Sequence, residues 1–184
     1  MASSTDHSTE HEHLGPNSTD KLFLAFLVAI VAAVTWLGIV NYKEALKVEA
    51  AKSNAEAIAL TLAEVGINVD CLPVLDVRVP DTHSAIGDRA LGSDPMRVAA
   101  LGKAILDGLA AGGVIGVVKH MPGQGRSVVD THHDLPHVHA SEDELEQDLK
   151  PFRVLNKAPM GMTGHVVYDV WDAEHTATMS PFVI

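Results

Sequence analysis

Residues 22–40 (Leu-Phe-Leu-Ala-Phe-Leu-Val-Ala-Ile-Val-Ala-Ala-Val-Thr-Trp-Leu-Gly-Ile-Val) hold no charged side chain. A helix rises about 1.5 Å per residue, so a run of this length covers roughly 30 Å, the thickness of a hydrocarbon core. No face of that helix is polar, which weakens the rival reading, a buried core helix. Trp36 and Tyr42 lie toward one end, where interfacial aromatic residues belong. A secretory leader would want a basic start and a shorter apolar core, whereas residues 1–20 carry Asp6, Glu10, Glu12 and Asp20 and no Lys or Arg. The run is expected to be a transmembrane helix over residues 21–41, preceded by a disordered acidic and histidine-containing tail over residues 1–20. Lys43, Lys47 and Lys52 come after the run and only Lys21 stands before it, so the positive-inside rule places the rest of the chain in the cytoplasm, anchored to the membrane. Without insertion the same chain would be soluble and cytoplasmic.

The remaining residues, 42–184, are enough for one domain. The whole chain of 184 residues is shorter than a complete eight-fold α/β barrel, which takes about 200–250. A net charge of −11 without any basic run argues against nucleic acid as a partner, since phosphate recognition needs a concentrated basic face. A single cysteine, Cys71, rules out an intrachain disulfide, and its apolar neighbours make it a small core residue.

Punctuation along the chain gives the element order. Residues 42–65 are rich in Ala, Glu, Lys and Leu without Gly or Pro, which is helix composition. Gly66 stops that helix, and residues 67–77 read as a buried strand running into a loop. Asp94-Pro95 is an N-cap followed by a first-turn proline, opening a helix to about Ala111 that Gly112-Gly113 ends. Residues 114–119 form the next short apolar strand, and residues 120–140, with their glycines, prolines and histidines, read as irregular. Ser141 and Glu144 have the spacing of a capping box, so a helix should run to about Asn156, and residues 159–167 make a third strand. Helices alternating with short apolar strands imply βαβ units and a parallel sheet, whose chemistry collects at the C-terminal ends of the strands. Asp76, Lys119, His120 and His165 fall at those ends.

The chemistry is concentrated in residues 119–136, Lys-His-Met-Pro-Gly-Gln-Gly-Arg-Ser-Val-Val-Asp-Thr-His-His-Asp-Leu-Pro. Asp130 stands two residues from His132, and a carboxylate there can orient the imidazole and fix its tautomer. Taken alone this is a weak signal, because Asp-x-His is common in surface loops. Read together with residues 71–77 (Cys-Leu-Pro-Val-Leu-Asp-Val), 86–95 (Ile-Gly-Asp-Arg-Ala-Leu-Gly-Ser-Asp-Pro) and 177–180 (Ala-Thr-Met-Ser), however, the segment resembles consecutive blocks of the family 3 glycoside hydrolases. Within that family the likeness is closest to the bacterial β-N-acetylhexosaminidases of peptidoglycan recycling, and it runs from about Tyr42 to Ile184.

The resemblance implies an incomplete (β/α)8 TIM-barrel segment of the α/β class with parallel strands. It implies hydrolysis of terminal β-linked N-acetylhexosamine by a retaining mechanism, with amino sugars derived from peptidoglycan as substrate. His132 matches the general acid/base and Asp130 its partner in a His/Asp dyad. Arg89, Lys119 and His120 match sugar-binding residues, and Asp76 and His165 are candidates to support them from behind. Met121, Gln124 and Thr131 depart from the family's usual wording, Gln124 standing where the motif has a second histidine. The aspartate nucleophile that the family uses lies on a strand beyond the segment matched by residues 177–180, so it is expected to be absent from this chain, and a complementing barrel half is an expected partner. The alternative reading is a catalytically inactive, membrane-anchored sugar-binding or interaction protein derived from such an enzyme. No cofactor or metal is expected: His132, His133, His137 and His139 crowd one loop, but without cysteine or zinc-site spacing they read as solvated side chains.

Overall fold

The computed structural model describes residues 18–130 and 133–183, with side chains described from Lys21 onward. They fall into two compact units that divide between Glu44 and Ala45.

Helix α1 (Ser18–Glu64) contributes its first part to the first unit and its C-terminal part to the second. Within the first unit the side chains from Leu22 to Val40 are exposed, and the helix carries an 18-residue window of mean hydropathy 2.7, none of it buried. It is a helix long and apolar enough to cross a membrane.

The second unit is built on a parallel three-stranded sheet. Strands β1 (Val69–Asp70), β2 (Ile115–Met121) and β4 (Met160–Thr163) are ordered β1-β2-β4. Val69 stands opposite Ile115, and Val117, Val118 and Lys119 stand opposite Met160, Gly161 and Met162. Helix α2 (Pro95–Ala111) starts where Asp94 accepts the Arg97 amide at 2.9 Å with Pro95 in the first turn, a local signal that the sequence states outright. Helix α3 (Glu142–Val154) starts in the expected capping box between Ser141 and Glu144, and those backbone and side-chain hydrogen bonds hold the Glu144 carboxyl below its ordinary range. Both helices pack on one face of the sheet, enclosing Leu75, Val77, Val98, Val118, Phe152 and Leu155. Each such side chain, fully buried, contributes on the order of 1.5–3 kcal/mol of transfer free energy. The C-terminal part of α1 closes against α2 around Ala55, Ala59, Leu109 and Val114. The approach is close because Gly108 has no side chain: a Cβ there would lie 2.2 Å from the Lys52 carbonyl oxygen.

A second small sheet joins β3 (His137–Val138), β5 (Val167–Tyr168) and β6 (Asp172–Thr176), with β3 parallel and β6 antiparallel to β5. It packs on α3 through Val138, Leu145, Val166, Tyr168 and Ala177.

Three expectations need correction. The single strand over residues 67–77 shrinks to Val69–Asp70 plus an isolated bridge from Val74 to Lys119. Pro73 has no N–H to give the ladder, so Leu72 and Pro73 join it through their carbonyls, accepting the Val117 and Lys119 amides, before Leu75 donates its N–H to the Lys119 carbonyl. Residues 120–140 are not wholly irregular, since β2 continues to Met121 and β3 lies inside the segment. Cys71 is exposed rather than a core residue, because it stands just past β1, which among the described residues is an outer strand of its sheet.

Candidate functional site

The site grows from the C-terminal end of β2. Pairing with β4 slips between Lys119 and Met121, leaving His120 as the extra residue of a bulge, a device that re-aims a side chain where a strand ends. The Lys119–His120 and Met121–Pro122 peptide bonds are cis. His120 Nδ1 lies 2.7 Å from Oδ2 of Asp76, a fully buried carboxylate, while the His120 ring remains 16% exposed. The other oxygen of Asp76 accepts the backbone N–H of His120 at 3.2 Å and of Gln124 at 2.7 Å. With Nδ1–H donating to Asp76, Nε2 is the ring atom left to meet a ligand. Lys119 precedes it, partly exposed.

The chain leaving β2 is held by bonds from distant parts of the fold. Tyr168 donates its hydroxyl to the Gly123 carbonyl at 2.8 Å, and burial pushes that hydroxyl far above its ordinary pKa, so it stays a donor. Thr82 donates to the Gly125 carbonyl at 2.6 Å. Gly125 is pressed so close to residue 77 that a Cβ would sit 1.9 Å from the Val77 carbonyl oxygen. Arg126 donates from Nε to Asp148 Oδ2 at 2.7 Å and from Nη1 to Glu144 Oε1 at 3.0 Å. Burial raises the Asp148 carboxyl to about 6 against the opposing pull of the Arg126 guanidinium.

The expected residues divide. Asp76, Lys119 and His120 are brought together at one strand end, with Asp76 directly supporting His120. Asp130 ends this described stretch, partly buried, and its carbonyl accepts the amides of His133 and Asp134 at 3.0 Å each. His132, expected as acid/base, lies outside the described residues. Arg89 closes a short 3-10 turn, is exposed, and bonds to the Ala85 carbonyl of its own loop. His165 lies two residues beyond β4 and is exposed. Among the described residues no three His, Cys, Asp or Glu groups are arranged to hold a metal; His137 and His139 instead both turn Nδ1 toward the carboxylate of Asp169. Sequence reasoning missed Tyr168, Arg126 and Asp148, because the Arg126–Asp148 and Tyr168–Gly123 bonds span 22 and 45 positions of the chain.

This geometry sits on a chain whose residues 33–184 match the glycosyl hydrolase family 3 N terminal domain. The chain belongs to glycosyl hydrolase family 3. A beta-hexosaminidase of Mycobacterium tuberculosis, LpqI, is 40% identical over 107 residues, which is 57% of this chain and 28% of that protein. The solved structure of NagZ from Neisseria gonorrhoeae with N-trifluoroacetyl-D-glucosamine is similar at 38% identity and a TM-score of 0.67, over 72% of this chain and 40% of that one. A family 3 beta-N-acetylglucosaminidase from Paenibacillus is similar at 34% identity and a TM-score of 0.71, over 74% of this chain and 27% of that one. The chain therefore spans well under half the length of these relatives. Family 3 membership explains the parallel strands and the collection of Asp76, Lys119 and His120 at their C-terminal ends, which is where barrels of this kind carry their chemistry.

Proposed function

We propose that this family 3 segment binds and, with the strands that complete its barrel, hydrolyses terminal β-linked N-acetylhexosamine of the kind found in peptidoglycan fragments. The observation that carries the reading is the Asp76-supported His120 beside Lys119 at the end of β2, leading within ten residues to Asp130. A fixed imidazole acceptor next to a lysine donor suits the hydroxyl groups of a sugar ring. In this reading His132 donates a proton to the leaving oxygen and then activates water, with Asp130 as its orienting partner. Arg89 would reach the sugar from its loop. A retaining route also uses a carboxylate nucleophile, to which none of the 184 residues is assigned. The apolar part of α1 supports insertion in a membrane, with the lysines after residue 42 favouring a cytoplasmic catalytic-type domain.

The test is release of a chromophore from an aryl N-acetyl-β-glucosaminide, by the chain alone and joined to the remaining barrel strands of a relative. Turnover lost in His132→Ala supports the hydrolase. Saturable binding of N-acetylglucosamine without turnover in either form favours the membrane-anchored, non-hydrolytic alternative. No binding and no turnover sinks both.

A further inference from the structure

The element most deeply tied to the site, after Asp76, is one the proposed chemistry does not use. Asp148 lies in the middle of α3 and is 1% exposed, yet it is a carboxylate. Its Oδ2 accepts Arg126 Nε, while Oδ1 is buried with no hydrogen-bond partner among the described residues. It also lies under the loop, since a Cβ on Gly123 would come within 2.9 Å of its own Cβ. A buried carboxylate with one orphan oxygen is costly to keep ionised. What faces it is the loop that runs to Asp130: Arg126 lies in that loop, four residues before Asp130, and Tyr168 on β5 bonds the same loop at Gly123.

We propose that Arg126 is a positioning residue, which by pairing with Asp148 clasps residues 122–130 onto α3 and so sets where Asp130 is presented at the end of β2. The role in catalysis rests on the glycosidase reading; the clasp itself does not. Four groups bear on Asp148: Arg126 from the loop, Glu144 on α3, Asp76 at the strand end and Tyr168 on β5. Only Arg126 is a cation, so it alone favours the ionised form. When the loop lifts, Asp148 meets water and loses its need for a proton, which fixes the sign of the pH effect. The closed loop holds the proton of Asp148 more tightly than the open loop does, so rising pH through about 6 favours opening, and Arg126 opposes it.

Hydrogen exchange of the peptide spanning residues 122–130 tests this on the 184-residue chain. Arg126→Gln is expected to speed its exchange about tenfold at pH 7.5, the size of one charge-assisted hydrogen bond, and much less at pH 5, after correction for intrinsic rates. Asp148→Asn should abolish that pH dependence and remove most of the effect of Arg126→Gln in the double variant, with α2 and β2 unchanged in all three. Equal exchange in wild type and Arg126→Gln at pH 7.5, or an Arg126→Gln effect that survives Asp148→Asn, overturns the clasp. In a turnover assay Arg126→Gln should lower kcat more than it raises KM, with the loss growing above pH 6. If the exchange result holds and the chain joined to the remaining barrel strands of a relative shows no turnover, the glycosidase reading has failed while the clasp stands.

Discussion

Histidine meets aspartate in three places among the described residues, and two of them, at Asp76 and at Asp169, differ in almost everything else. At the end of β2, Asp76 is fully buried, accepts three donors and holds a ring that is mostly covered. On the small sheet, Asp169 receives His137 and His139 side by side, with side chains 45% and 79% exposed. Water competes for every bond of the second cluster and for none of those made by Asp76. The chemistry of the two pairs is alike, and burial alone makes one a fixed frame for a ligand and the other a solvated surface contact.

The sharpest way to break the comparison is Asp76→Ala, which orphans the ring and two backbone N–H groups at once. It should cost about 3–5 kcal/mol in urea unfolding, the range for removing one partner of a buried pair. Trp171, 5.6 Å from Tyr168 between ring centres, is a convenient fluorescence reporter of that region. Gly125→Ala strikes the same region sterically, and forcing the Cβ against Val77 should cost about 2–3 kcal/mol by the same measurement. Asp148 sharpens the contrast through pH. Its folded pKa of about 6 lies above the ordinary 3.8, so it contributes stability that is complete below about pH 4 and is lost as pH rises through about 6. The shift corresponds to on the order of 2–3 kcal/mol, and the difference between wild type and Asp148→Asn across that window isolates it. Asp169→Asn should move the midpoint least, by under about 1 kcal/mol, because exposed ion pairs contribute little. A loss from Asp169→Asn as large as that from Asp76→Ala would show that burial is the wrong explanation.

The sequence was most readable where the signal is local. The Asp94-Pro95 start of α2 and the capping box of α3 each lie within four residues, and both helices begin where those residues say. The run from Lys119 to Asp130 stood out for the same reason, since motif residues sit next to one another. The supports were hidden because they arrive from afar: Asp76 reaches Gln124 across 48 positions, Tyr168 reaches Gly123 across 45, and Thr82 reaches Gly125 across 43. Strands β3 and β5 escaped because two residues are too few to show an alternating pattern, and only their pairing makes them strands. Cys71 was misjudged for a related reason: apolar neighbours in sequence do not say which side of a strand lacks a partner.

That exposed thiol has a practical consequence. Cys71 is the chain's one cysteine and stands just past β1, an outer strand of the three-stranded sheet. A maleimide can therefore modify the protein at a single known position, and the rate of that modification acts as a gauge of whether anything shields this flank. Alkylation at the pace of a free thiol would mean the flank is open in solution. A slow rate that accelerates as the protein is diluted would mean that another chain is lying across it.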